Sequence, residues 1–175
     1  PANWFCRLDL RDLFEHPERP LEVDLGCGDG TFLVQMAREF PERNFIGMER
    51  LLGRCRKVWR KSQRNGVMAN TRILRVDSNY GIKWMLPEKA VSRLHFLCPD
   101  PWPKKKHANR RQMCRLDFLK SIRNLLIDGG ELLFKTDSRE YYEEAVKLQE
   151  NCDCFTIAEW EESEFFYPTT DFEQQ

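Results

Sequence analysis

No apolar run in this 175-residue chain exceeds a few residues, so a membrane-spanning helix is excluded. The start, Pro1-Ala2-Asn3-Trp4, has no basic segment followed by an apolar one, and no secretory signal peptide is visible. Pro1 stands where Met would, which reads as a trimmed or processed start. No Cys-x-x-Cys pair occurs among Cys6, Cys27, Cys55, Cys98, Cys114, Cys152 and Cys154. An odd, scattered set of seven excludes a zinc ribbon or a secreted disulfide framework and points to a reduced, cytoplasmic protein without a structural metal. The lone Cys152-x-Cys154 reads as two small apolar side chains. Histidine is scarce, limited to His16, His95 and His107. There is no internal repeat, low-complexity tract or linker.

What is present is globular: 41% hydrophobic and 32% charged residues, enough for one domain with a single core. The 28 basic and 28 acidic residues cancel, but unevenly. After Lys147 the chain has eight acids and no base, so residues 1–147 carry 28 bases against 20 acids, a net of +8. Two runs hold most of that charge. One is Arg50, Arg54, Arg56, Lys57, Arg60, Lys61 and Arg64; the other is Lys104, Lys105, Lys106, His107, Arg110, Arg111 and Arg115. A basic surface of this kind attracts a polyanion, although either run also reads as a plain solvated face.

Hydrophobic spacing predicts alternating strands and helices. Strands are expected at Leu21–Leu25, Asn44–Met48, Arg72–Val76, Leu94–Cys98, Glu131–Lys135 and Phe155–Trp160. Helices are expected from Phe32 to Phe40, along the first basic run to Asn65-Gly66, at Ile82–Leu86, from Leu116 to the Asp128-Gly129-Gly130 stop, and over Tyr141–Leu148. This order implies an α/β fold: one doubly wound, mostly parallel, Rossmann-like sheet covered by helices on both faces. A single domain over 1–175 is expected, with 1–19 an N-terminal extension and 20–175 the core. Such sheets bind ligands at the carboxyl ends of their strands. Gly26 to Gly30, Glu49, Asp77, Asp100 and Asp137 all fall there.

The first of these turns reads Glu22-Val23-Asp24-Leu25-Gly26-Cys27-Gly28-Asp29-Gly30. Its glycines permit positive φ and close backbone approach. The G-x-G-x-x-G of a nicotinamide-dinucleotide site would place a helix N-terminus against a pyrophosphate. Here the spacing is one residue short, and Asp24 and Asp29 flank the turn, where they would repel a pyrophosphate and favour an amine or a sulfonium. Glu49, about 20 residues on, can accept from both ribose hydroxyls. Asp77 can meet an exocyclic amine of adenine. Acids ending three successive strands around a glycine turn describe a nucleoside pocket.

With its acids, the turn resembles that of the class I S-adenosylmethionine-dependent methyltransferases. Pro99-Asp100-Pro101-Trp102-Pro103-Lys104-Lys105-Lys106-His107, trailing into Arg110-Arg111, resembles the signature of the bacterial tRNA (guanine-N7-)-methyltransferase family. Gly129-Gly130 leading to Thr136-Asp137, and Pro168-Thr169-Thr170-Asp171-Phe172-Glu173-Gln174, match it too. The resemblance runs from about Leu21 to the end. It implies S-adenosylmethionine as cofactor, S-adenosylhomocysteine as product, and a variable-loop guanosine of tRNA as target. It implies cofactor binding by Glu22, Glu49 and Asp77, and a catalytic Asp100 that also lies against the cofactor. It places the RNA substrate at Lys104, Asp137, Thr170, Asp171, Phe172 and Glu173. Class I enzymes in general carry Asp at position 24, where this family commonly has Gly, so either Glu22 or Asp24 is the carboxylate at Gly26 and Gly28. The family usually continues past Phe172-Glu173-Gln174 into a final strand, so either the sequence ending at Gln175 leaves that strand out or the sheet itself is one strand short.

Guanine N7 carries a lone pair and no proton. Its direct in-line attack on a sulfonium methyl needs no general base, and alignment can supply most of the rate. The N1–H and N2–H₂ edge donates to a carboxylate, for which Asp100, Asp137 and Glu173 are candidates. Lys104, Lys105, Lys106, Arg110 and Arg111 would neutralise RNA phosphates. Trp102 between two prolines is either a lip over the base or core packing. The rivals are another class I RNA or DNA base methyltransferase, a nicotinamide oxidoreductase disfavoured by the glycine spacing, and a non-catalytic RNA-binding relative. Monomer and homodimer are both open.

Overall fold

The computed structural model describes residues 6–158 and 166–168. Its elements are α1 (Leu10–Leu13), β1 (Leu21–Leu25), α2 (Thr31–Glu39), β2 (Asn44–Glu49), α3 (Leu52–Arg64), β3 (Thr71–Arg75), α4 (Ser78–Tyr80), β4 (Val91–Leu97), α5 (Leu116–Leu125), β5 (Leu126–Lys135) and α6 (Arg139–Glu150). A wide helical turn, Gly81–Met85, continues α4, and tight turns cover Lys105–Arg110 and Gln112–Cys114. The five strands form one parallel sheet in the order β3-β2-β1-β4-β5.

β1 sits at the centre and every residue in it is buried. Leu21, Val23 and Leu25 point into the larger core, where Phe96, Phe118, Ile122 and Tyr141 from β4, α5 and α6 meet them. The opposite face is covered by α2 and α3 through Phe32, Leu33, Met36 and Val58. Glu22 and Asp24 are directed to that second face and are buried with it. The extension before β1 is part of the same packing: Phe14 is buried, and Leu8 N–H donates to the Met85 carbonyl at 2.7 Å.

The predicted elements are observed, with three corrections. β4 begins at Val91 rather than Leu94. Helix α5 does not stop at Asp128-Gly129-Gly130. It ends at Leu125, where Leu126 turns to extended backbone and starts β5 at once. The glycines form an irregularity inside the strand, which pairs Val91 with Leu126 but Arg93 with Glu131, and Gly129 takes φ 76°. The expected sixth strand is not observed over residues 155–158, which are irregular. Residues 159 and 160 lie outside the described part.

Candidate functional site

β1 and β4 are neighbours at the centre, and the chain leaves them for opposite faces of the sheet, so a crevice opens beyond their carboxyl ends. The glycine turn follows β1. Gly26, Gly28 and Gly30 have φ of 73°, 59° and 80°. Gly26 N–H and Cys27 N–H both donate to the Met48 carbonyl of β2, at 2.9 and 3.0 Å. At Gly30 a Cβ would stand 2.8 Å from both γ-methyls of Val58, so α2 and α3 close together only over a glycine. At Gly26 a Cβ would meet nothing within 4 Å, which leaves that backbone open to a ligand.

Asp24 and Glu49 end β1 and β2 on this crevice, and both are buried. Burial, and then the charge of Glu49, push the Asp24 carboxyl up to about 7. Among the described residues no cation pairs with it. Glu49 accepts from Leu51 N–H at 2.7 Å and lies 3.6 Å from the Arg54 guanidinium. The same two acids, after burial itself, keep the Cys27 thiol well above its ordinary range. A site with two adjacent carboxylates and little positive charge fits a cationic ligand such as a sulfonium or an ammonium, and repels a pyrophosphate. Asp29 is occupied otherwise: it accepts from the Thr31 hydroxyl at 3.1 Å and pairs with Lys61 at 3.2 Å.

Glu22 shares the face of this pair but has partners of its own. Its side chain is fully buried and is gripped by Arg43 at 2.6 Å, His95 at 2.7 Å and Arg93 at 3.7 Å. Burial would raise its carboxyl, but the His95 hydrogen bond and the neighbouring cations hold it below its ordinary value. Burial pushes His95 down; its Nε2 shares a hydrogen bond with Glu22, while Nδ1 has no partner among the described residues. Both carboxylate oxygens of Glu22 are thus engaged, Oε1 by Arg43 and Oε2 by His95.

The remaining strand-end acids are exposed. Asp77 caps α4, accepting from Asn79 and Tyr80 N–H at 3.1 and 3.3 Å. Asp100 follows β4, and Cys98 (φ 44°) and Trp102 (φ 45°) on either side of it are both in the left-handed region that non-glycine residues rarely adopt. Asp137 follows β5, just before Ser138, which caps α6. Lys104, Lys106 and Arg110 are exposed. Lys105 opens the tight turn with them, and the Lys104 carbonyl accepts from His107 N–H at 2.7 Å. The Trp102 ring lies 4.7 Å beneath the Arg110 guanidinium and meets His107 edge-on at 5.8 Å. The indole is thus held by its own loop.

Arg111 departs from the expected phosphate contact. It is 1% exposed. Nε donates to the Pro101 carbonyl at 2.8 Å, Nη2 to that of Trp102 at 3.4 Å, and Nη1 to Glu144 at 2.7 Å, with Glu140 at 3.3 Å. These bonds raise its already high pKa. Arg111 is a strut that ties the Asp100 loop to α6, and no phosphate can reach it. Its partners Glu140 and Glu144 were not singled out in the sequence; acids four apart on the helix after Asp137 were the available signal. Tyr141, on the same helix, accepts from Met113 N–H at 3.1 Å, and burial pushes its hydroxyl up to about 12.

Thr170, Asp171, Phe172 and Glu173 lie outside the described residues. Just before them, Tyr167 packs on Phe32 of α2 at 5.0 Å and Pro168 is buried. A separate groove of about 1100 Å³ runs along β5 and α6, lined by Leu132, Phe134, Tyr142 and Ile157, and touches none of the strand-end acids. Among the described residues no group of three or more His, Cys, Asp and Glu side chains gathers as a metal site, and no helix is long and apolar enough to cross a membrane.

A parallel sheet in this order, with a glycine turn after the central strand and acids at the ends of β1 and β2, defines the class I methyltransferase type of α/β fold. In agreement, the structure is similar to that of precorrin-6y C5,15-methyltransferase from Geobacter metallireducens, with a TM-score of 0.58 and 13% identity over 75% of this chain and 61% of that one. Residues 18–175 match the family described as "Putative methyltransferase", and the chain belongs to that family. Curated relatives bear out the resemblance seen in the sequence. The tRNA (guanine-N(7)-)-methyltransferase of Thermotoga maritima is 31% identical over 156 residues, 89% of this chain and 49% of that protein. That of Leuconostoc mesenteroides is 37% identical over 134 residues, 76% of this chain and 60% of that protein. The chain thus spans about half the length of the curated relatives it matches.

Proposed function

We propose that the chain is a methyltransferase domain that moves a methyl group from S-adenosylmethionine to N7 of a guanosine in tRNA. One observation carries the reading. The buried Asp24–Glu49 pair, with no cation on Asp24 among the described residues, sits beside a glycine turn at the same sheet edge as an Asp100 loop held between two left-handed residues.

S-adenosylmethionine, when bound, supplies an electrophilic methyl on a positively charged sulfur. Asp24 and Glu49 would hold it, with the turn through Gly26 and Gly28 against it, open at Gly26, and Asp77 at the adenine end. Asp24 takes this role rather than Glu22, whose carboxylate is spent on His95, Arg43 and Arg93. N7 has no proton, so no residue needs to act as a base. Asp100 instead orients the guanine, with Asp137 and Glu173 as further acceptors for its N1–H and N2–H₂ edge. A carboxylate there also offsets the positive charge that N7 gains. Lys104, Lys105, Lys106 and Arg110 take the phosphates, with Thr170, Asp171 and Phe172 completing the substrate site. Arg111 acts on this set only by fixing the loop. A tRNA substrate places the chain in the cytoplasm.

Incubation with methyl-labelled cofactor and unmodified tRNA, followed by nucleoside analysis, tests this. The label should appear in 7-methylguanosine. Asp100→Asn should lower turnover at least about 100-fold, in the range of other electrostatic and positioning groups, and leave cofactor binding within about twofold. Label in another nucleoside would overturn the target. Binding of tRNA without any transfer would identify a non-catalytic RNA-binding relative.

A further inference from the structure

Helix α3 has six basic residues and no acid between Leu52 and Arg64. Like charges four apart, as in Arg56–Arg60–Arg64 and Lys57–Lys61, oppose helix formation. Only Lys61 and Arg64, in the last turn, gain from the helix dipole; the rest of the array does nothing for the helix that carries it. Two of the six are engaged within the fold: Lys61 pairs with Asp29 at 3.2 Å, and Arg54 reaches Glu49 at 3.6 Å. Arg56, Lys57, Arg60 and Arg64 are exposed, and among the described residues none of them forms an ion pair.

The helix turns about 100° per residue. Cys55, Val58 and Ser62 form its buried stripe. The four unengaged bases then fall within an arc of about 100° centred opposite that stripe. From Arg56 to Arg64 they extend about 12 Å along the axis. Leu52 and Trp59, both exposed, border the crown on one side. A basic helix can also serve a membrane surface, but it then lays an apolar face into the lipid. Here the apolar stripe is already packed in the core beneath α2 and against β2 and β3. What remains outward is a row of cations with one aromatic shoulder, the composition that tracks a nucleic-acid backbone.

We propose that the outward crown of α3 is a second docking surface for the phosphates of a folded RNA. It is distinct from the Lys104–Arg110 run: β3, on which α3 packs, lies three strand positions from β4, roughly 14 Å across the sheet. A folded tRNA is wide enough to engage both surfaces, whereas a short single strand centred on the target guanosine engages one. The inference rests on the tRNA reading above and adds where the body of the RNA lies.

The test uses the full chain, its R56Q/R60Q variant and its R56Q/K57Q/R60Q/R64Q variant. Each is titrated with fluorescently labelled unmodified tRNA between 50 and 200 mM salt, and with a ten-nucleotide guanosine-containing strand. Each phosphate contact contributes about 0.7–0.9 to the slope of log affinity against log salt. The fourfold variant should lose about 3 from that slope for tRNA, and the double variant about half as much. Affinity of the fourfold variant at 150 mM salt should fall at least about tenfold. The short strand should bind all three proteins equally. Calorimetric binding of S-adenosylmethionine, unchanged in both variants, shows that the fold is intact. If methyl transfer to guanosine fails in every protein but the slope change appears, the crown stands as an RNA surface and the N7 reading falls. An unchanged tRNA slope overturns the proposal whatever the activity. Vesicles of one part phosphatidylglycerol to three parts phosphatidylcholine provide the other arm. Crown-dependent binding to them, with tRNA binding unaltered, also overturns it in favour of a membrane contact.

Discussion

Asp24 costs the fold stability in order to be ionised, and the size of that cost can be measured. Its carboxyl is raised from 3.8 to about 7 by burial and by Glu49. Between those two values the native state holds a proton that the unfolded chain has released, so unfolding becomes easier as pH rises through that window. The difference of about 3 pH units, at 1.36 kcal/mol each, is about 4 kcal/mol. Asp24→Asn keeps the shape and removes the titration. Urea unfolding of both proteins from pH 4 to pH 8 should show the variant gaining on the parent by about 1.4 kcal/mol per unit from pH 4 to pH 7, then levelling off. The gain should come with loss of cofactor binding. Glu49→Gln should recover part of the same stability by removing the repulsion. A pH-independent difference between Asp24→Asn and the parent would refute the reasoning, because Asp24 would then be ionised at no cost, by a partner that the structure does not show.

Three further outcomes follow from other parts of the molecule. Burial holds His95 below its ordinary 6.5, so it takes stability away as pH falls through 6.5; His95→Gln should remove that acid-side loss, read as a flatter stability curve just below pH 6.5. Gly30→Ala places a Cβ 2.8 Å from Val58 at φ 80° and should cost about 2–4 kcal/mol in urea unfolding, whereas Gly26→Ala, strained but uncrowded, should cost about 1 kcal/mol and weaken the cofactor instead. Arg111→Met should cost about 2 kcal/mol by leaving the Pro101 carbonyl and Glu144 without their partner, and should lower turnover without changing the salt dependence of tRNA binding. A reduced salt slope in that variant would return Arg111 to the phosphate-binding set.

The strand and helix order was legible because apolar spacing switches cleanly between two periods, and because the acids and glycines fall at the strand ends. Period alone places Glu22 and Asp24 on one face of β1, but cannot tell their surroundings apart. That difference depends on His95, Arg43 and Arg93, which come from β4 and from the turn before β2. Arg111 looked like one more member of a basic run. Its burial follows from two acids on α6, some 30 residues away, that no local pattern connects to it. The start of β5 was hidden because Leu126 and Ile127 continue the apolar pattern of α5 without a break. Phe155 and Ile157 alternate like a strand, yet they line the groove beside β5 instead of pairing with it, and the Phe155 carbonyl accepts from the Gln149 side chain.

Titration calorimetry of the chain with S-adenosylmethionine at pH 7, repeated in buffers of different ionisation enthalpy, bears most directly on the acid cradle. At that pH Asp24 is about half protonated, and a cation seated against it should displace about half a proton per site. Saturable heat with that release, and none from Asp24→Asn, is the predicted result. Absence of binding by the parent, or equal binding without proton release by Asp24→Asn, would contradict the account.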